Sequence, residues 1–136
     1  MLFLATAIAL VFLALASLHA YWAPGGQAGL RAARPARPGA SLALRPGPAL
    51  TWAVALGLLL LVALSLAHPR PPAPGWLRLA DGATATLFAL RAVGDFRYVG
   101  LSKRVHGTTF ARLDTRYYTP LCLALAASCA ALALAA

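Results

Sequence analysis

The sequence predicts an all-α integral membrane bundle of four transmembrane helices, forming a single domain over residues 1–136, and three observations lead there. Hydrophobic residues make up 61% of the chain and charged residues only 11%, against roughly a quarter charged in a soluble domain. A chain this short has too little polar surface to cover so much Leu, Ala and Val in water, whereas lipid solvates that surface directly. The apolar residues also fall into runs whose lengths approach the thickness of a bilayer, separated by segments rich in Arg, Pro and Gly.

The first run, residues 2–22, LFLATAIALVFLALASLHAYW, carries no charge and spans about 30 Å as a helix, the thickness of the hydrocarbon layer. A cleaved signal peptide is the rival reading, but such a peptide opens with positive charge that this run lacks. A retained helix is therefore preferred. Residues 23–48 hold five Gly, five Pro and Arg31, Arg34, Arg37 and Arg45, a composition that breaks regular structure; one short interfacial helix around Gln27 to Ala33 is expected in this loop.

The second span covers residues 49–68 and stops at HPRPPAPG, which cannot continue a helix. The third, residues 76–94, contains Arg78, Asp81 and Arg91, and few uncharged positions lie between them. It is read as a span because Arg side chains near its ends can snorkel to the interface, and Gly82, Ala85, Thr86 and Ala89 present small surfaces for close packing. The polar stretch 95–118 follows. Re-entry is expected at Thr119, as a hydroxyl N-cap, with Pro120 at the first helical position. The fourth span, residues 119–136, is short and Ala-rich.

Twelve basic residues against three acidic ones would prompt a nucleic-acid reading in a soluble protein. Here the bases lie between apolar runs, without aromatic interleaving or a helix-turn-helix context, so membrane orientation accounts for them and no nucleic-acid partner is expected. Loops one and three hold nine of them, Arg31, Arg34, Arg37, Arg45, Arg97, Lys103, Arg104, Arg112 and Arg116, while loop two holds Arg70 and Arg78. The positive-inside rule then makes the arginine-rich side cytoplasmic and both termini external. The dominance of Arg over Lys, with abundant Ala, Gly and Pro, points to a GC-rich bacterial source and hence to a bacterial inner membrane.

Cys122 and Cys129 lie about 10 Å apart on one face of a helix, too far to pair with each other. No second Cys/His group accompanies them, so neither a metal nor another cofactor is expected, and both read as small packing residues.

Two polar clusters fall on the same side of the predicted topology: His19, Tyr21 and Trp22 at the end of span one, and the segment RAVGDFRYVGLSKRVHGTTFARLDTRYYTP. Its candidate site residues are Arg91, Asp95, Arg97, Tyr98, Asp114, Arg116 and Tyr118. Asp95 follows Arg91 by four, so on a continuing helix the two would share a face and pair. A carboxylate near the bilayer is costly unless paired, so structural neutralisation by Arg91, Arg97 or Arg116 is sufficient reason for it, although ionisable groups at membrane depth are also functional candidates. His19 beside Asp95 or Asp114 would be the minimum for acid–base work, against a plain helix-end histidine donating to a loop carbonyl. The tyrosines and Trp22 also suit an aromatic belt at headgroup level.

HAYWAPGG from residue 19, GDFRYVG from residue 94 and FARLDTRYYTPLCL from residue 110 resemble a bacterial family of unknown function, the domain-of-unknown-function family numbered 3995. The likeness covers nearly the whole chain and implies a small four-span membrane protein with no assigned activity. It carries over onto His19, Tyr21, Trp22, Gly25, Gly26, Arg91, Gly94, Asp95, Arg97, Tyr98, Asp114, Tyr118 and Pro120. The chain departs from the family pattern at Pro24, usually apolar, at Ser102, usually aromatic, and in its arginine-rich first loop.

Three functions follow for consideration. The first is binding of a lipid headgroup, a small anion or a membrane protein partner at the cytoplasmic cluster, with Arg91, Arg97 and Arg116 as counter-charges. The second is a membrane enzyme or proton-coupled carrier using His19 with Asp95 or Asp114. The third is a purely architectural bundle.

Overall fold

The computed structural model describes residues 1–37, 46–68 and 72–135. Arg45, Arg70 and part of the Pro-rich stop after the second span lie outside the described residues. Helices α1 (Leu2–Trp22), α2 (Leu30–Ala33), α3 (Pro48–Leu66), α4 (Gly75–Val93) and α5 (Thr109–Leu134) make up the regular structure, and no strand occurs among the described residues. Three of them, α1, α3 and α5, are long and apolar enough to cross a membrane.

Each helix starts and stops for local reasons. In α1 and α3 the hydroxyls of Thr6, Ser17 and Ser65 donate to carbonyls four residues back at 2.8–2.9 Å, so the few polar side chains on these apolar helices carry their own partners. Pro48 opens α3 at a position where its missing N–H is no loss. Gly94, at φ +94°, closes α4.

The long helices run alternately up and down. Trp22 at the end of α1 and Thr51 at the start of α3 line one cavity. The start of α4 reaches the end of α5, where Arg78 Nε donates to the Ala133 carbonyl at 3.0 Å. Helix α1 packs mainly on α3, and α4 mainly on α5. The two hairpins share a core of Ala5, Ile8, Phe12, Ala16, Leu58, Leu125, Cys129 and Leu132, in which Phe12 stacks on Phe88 of α4 with ring centroids 5.5 Å apart. In lipid such contacts hold by dispersion and shape, since the tails are as apolar as the helices. Leu10, Leu56, Leu60, Leu87 and Leu90 point outward and are well exposed.

Three expectations are corrected. The last helix does not begin at Thr119: it starts at Thr109, where the Thr108 hydroxyl accepts from the Ala111 N–H at 3.0 Å. It runs through residue 119 by way of a π turn at Asp114–Tyr118, closed by the Thr119 N–H on the Asp114 carbonyl. The wide turn falls where Pro120 withdraws an N–H and its ring would press on the carbonyl four residues back. Second, α4 does not pack through most of its small residues. Its inward face is Leu77, Asp81, Thr84, Ala85, Phe88 and Ala92, whereas Thr86 and Ala89 are exposed and a side chain at Gly82 would meet open space. Third, the helix does not continue to Asp95, so the Arg91–Asp95 pairing does not form. Cys122 and Cys129 are free and buried in the interior.

Candidate functional site

The connection from Gly94 to Thr108 folds back over the end of α4. Leu101 N–H donates to the Ala92 carbonyl at 2.8 Å and Ser102 N–H to the Val93 carbonyl at 3.1 Å. This return needs two glycines, because a Cβ on Gly94 would run into the Val99 backbone and one on Gly100 into the carbonyls of Ala92 and Val93. Both also hold positive φ, which disfavours any larger residue. Ser102 steadies this return: its hydroxyl donates to the Val93 carbonyl at 2.6 Å and accepts from the Phe96 N–H at 3.2 Å, holding Phe96 at φ +61°.

The loop closes on Asp114, which is wholly buried. Its Oδ1 accepts from Arg91 Nη2 at 3.0 Å, and its Oδ2 accepts from the Gly100 N–H at 2.8 Å, Lys103 Nζ at 3.0 Å and the Thr119 hydroxyl at 3.2 Å. Lys103 is itself buried and also donates to the Gly100 carbonyl at 2.9 Å. Residues five apart lie on different faces of an α-helix but are brought to one face by a π turn. That turn is what allows Asp114 and Thr119 to meet. With four donors around it, this carboxylate serves as a clasp joining α4, the loop and α5, and has little capacity left to act as a base.

Asp95 has a different task. Its Oδ1 accepts from the backbone N–H groups of Arg97, Tyr98 and Val99 at 2.6–2.9 Å. Burial by itself would raise this carboxyl, but the three backbone donors outweigh it and hold it below the ordinary carboxylate value. A depressed pKa contributes stability above the unfolded value, about 3.9, and that contribution is lost as pH falls through the folded value. Amide exchange at Arg97, Tyr98 and Val99 should therefore lose protection, relative to intrinsic rates, when pH is lowered below about 4. Unchanged protection down to acid pH would contradict this role.

The first loop meets this structure from the other hairpin. The Tyr118 hydroxyl donates to the Ala32 carbonyl at 3.1 Å, and Arg37 Nε donates to the Tyr98 hydroxyl at 3.2 Å. Trp22 Nε1 donates to the Ala28 carbonyl at 2.8 Å, and the Ala28 N–H lies 3.4 Å from the Tyr21 hydroxyl oxygen. Gly25 and Gly26 turn the chain beneath them, their N–H groups on the Trp22 and Tyr21 carbonyls. The two sequence clusters thus sit at one end of the bundle.

Several predicted partnerships are absent among the described residues. His19 keeps to its own helix, with Nδ1 2.8 Å from the Leu15 carbonyl and its ring edge-on to Trp22, and no hydrogen bond or ion pair joins it to Asp95 or Asp114. Arg97 lies over the Tyr98 ring and Arg116 over the Tyr117 ring, so neither neutralises a carboxylate.

The residues that sequence reasoning missed are Lys103, Gly100 and Thr119 of the clasp, and two arginines of the first loop. Arg31 and Arg34, with Trp22, Gln27, Leu30 and Thr51, line a cavity of about 370 Å³ at this end. Also missed was a buried pair at the opposite end, where His68 Nε2 approaches Asp81 Oδ2 to 2.9 Å. Its available signal was Asp81 itself, a carboxylate inside the third apolar run, with a histidine ending the second.

A family model described as "Protein of unknown function (DUF3995)" matches residues 12–129. No curated protein and no solved structure matches the chain.

Proposed function

The chain belongs to the DUF3995 family, and from its own charges we propose that it is a four-span bundle of a bacterial inner membrane that binds an anionic lipid headgroup at its arginine-rich, cytoplasmic end. The carrying observation is a charge count. The protein has three acidic side chains, and all are engaged: Asp81 with His68, Asp95 with backbone N–H groups, and Asp114 with Arg91 and Lys103. Among the described residues, no side-chain carboxylate is left to neutralise Arg31 and Arg34, and a membrane supplies the missing charge as phosphate.

The chemistry of the cavity agrees with that occupant. Guanidinium groups offer forked donors matched to phosphate oxygens, Gln27 and Thr51 add neutral polar groups, and Trp22 gives an amphipathic wall suited to headgroup level. The third long helix, α4, serves as the remaining span, its charges paired within the bundle or lying near its ends. Arg91, Arg97 and Arg116 are poorer counter-charges for a ligand than Arg31 and Arg34, since each already has a partner.

The test is a lipid analysis of the full-length protein purified in mild detergent, beside Arg31→Ala/Arg34→Ala. Wild type should retain phosphatidylglycerol or a related anionic lipid, and the double variant should retain at least about tenfold less, the loss of one charge-assisted hydrogen bond or more. Competition by inorganic phosphate would identify a free anion as the ligand in place of a lipid. Equal retention by both proteins would refute the assignment.

A further inference from the structure

We infer that His68 and Asp81 form a one-proton binding site between α3 and α4, at the end of the bundle opposite the arginine-rich loops. The two side chains are each only 7% exposed and approach to 2.9 Å, and neither Nε2 nor Oδ2 has another hydrogen-bond partner among the described residues. His68 follows Ala67, the residue that caps α3, and Asp81 lies on the second turn of α4, so the pair sits near where the chain passes from one helix to the next.

A histidine and a carboxylate this close hold one proton between them, as imidazolium with carboxylate or imidazole with carboxylic acid. Either form is neutral overall. Removing the proton leaves a net buried negative charge, and adding one leaves a net positive charge, both opposed by desolvation. Among the described residues, the surroundings offer little relief. From α5, Cys129 lies within Coulombic reach of Asp81. On α4, Arg78 is the nearest cation in sequence, and its Nε is committed to the Ala133 carbonyl. Helix α1 bears no ionisable side chain before His19. The pair therefore titrates as a unit, and its proton occupancy sets the charge between α3 and α4.

The site is independent of headgroup binding and is tested separately, by NMR of the full-length protein in phosphatidylcholine nanodiscs with labelled His and Asp. The His68 ring and the Asp81 carboxyl should change over one shared pH interval. Asp81→Asn should move the His68 interval by about one pH unit or more, leaving His19 and His106 unaffected. If that variant fails to fold, His68→Gln provides the reciprocal reading on the Asp81 carboxyl. A His68 signal indifferent to Asp81→Asn, or an Asp81 signal indifferent to His68→Gln, would overturn the inference.

Discussion

Asp114→Ala is expected to destabilise the protein by about 3–5 kcal/mol, the cost of leaving a buried charge without its partner, while Lys103→Met is expected to cost about 1 kcal/mol. The difference comes from counting charge. In the native clasp one carboxylate faces two cations. Removing Lys103 leaves a neutral Arg91–Asp114 pair, with the Gly100 N–H and the Thr119 hydroxyl still donating. Removing Asp114 leaves two cations side by side, one of them buried, and two further donors without an acceptor. Unfolding in mixed micelles would measure both variants against wild type. If Lys103→Met proved as damaging as Asp114→Ala, the clasp would have to be held by the lysine and not by the carboxylate.

The second large effect is expected at Gly94. Gly94→Ala should cost at least the upper part of about 1–3 kcal/mol, because φ +94° with ψ −169° is a conformation left almost wholly to glycine, and the added methyl would also strike the Val99 backbone. The collision displaces the strand of loop that carries Gly100, so the damage should reach Asp114. Loss of exchange protection at the Gly100 amide, beyond what the overall loss of stability explains, would mark that route. A Gly94→Ala protein with wild-type stability and an intact Gly100 amide would show that the return does not need this crossing. Gly25→Ala is a useful comparison, since its φ is also positive but a Cβ there meets open space.

Both predictions concern residues that sequence reading singled out for different reasons. Arg91, Asp95 and Asp114 were all visible as ionisable groups near one end of the bundle, but their pairing was misread. Spacing by four argues for Arg91 with Asp95 only if the helix continues, and Gly94 ends it. Asp95 then turns to the backbone, and Arg91 reaches 23 positions along the chain to Asp114. Lys103 looked like one more topological charge, because nothing local distinguishes a buried lysine from a solvated one. The start of α5 was misplaced because Thr119-Pro120 is a sound N-terminal signal; the π turn lets the helix pass through it.

Hydropathy and charge placement were legible from the start. The cost of placing a residue in lipid is a sum over local composition, so α1 and α3 announce themselves by run length, and the gathering of arginines into two loops needs no tertiary knowledge. Which ion meets which is a different kind of question. Three carboxylates and fifteen basic side chains, counting histidines, allow many neutral pairings of similar local merit. The choice falls to helix ends, to two glycines that let backbone cross backbone, and to a π turn that rotates Asp114 toward Thr119. Those are conditions of close packing between segments distant in sequence, and only the tertiary structure satisfies them together.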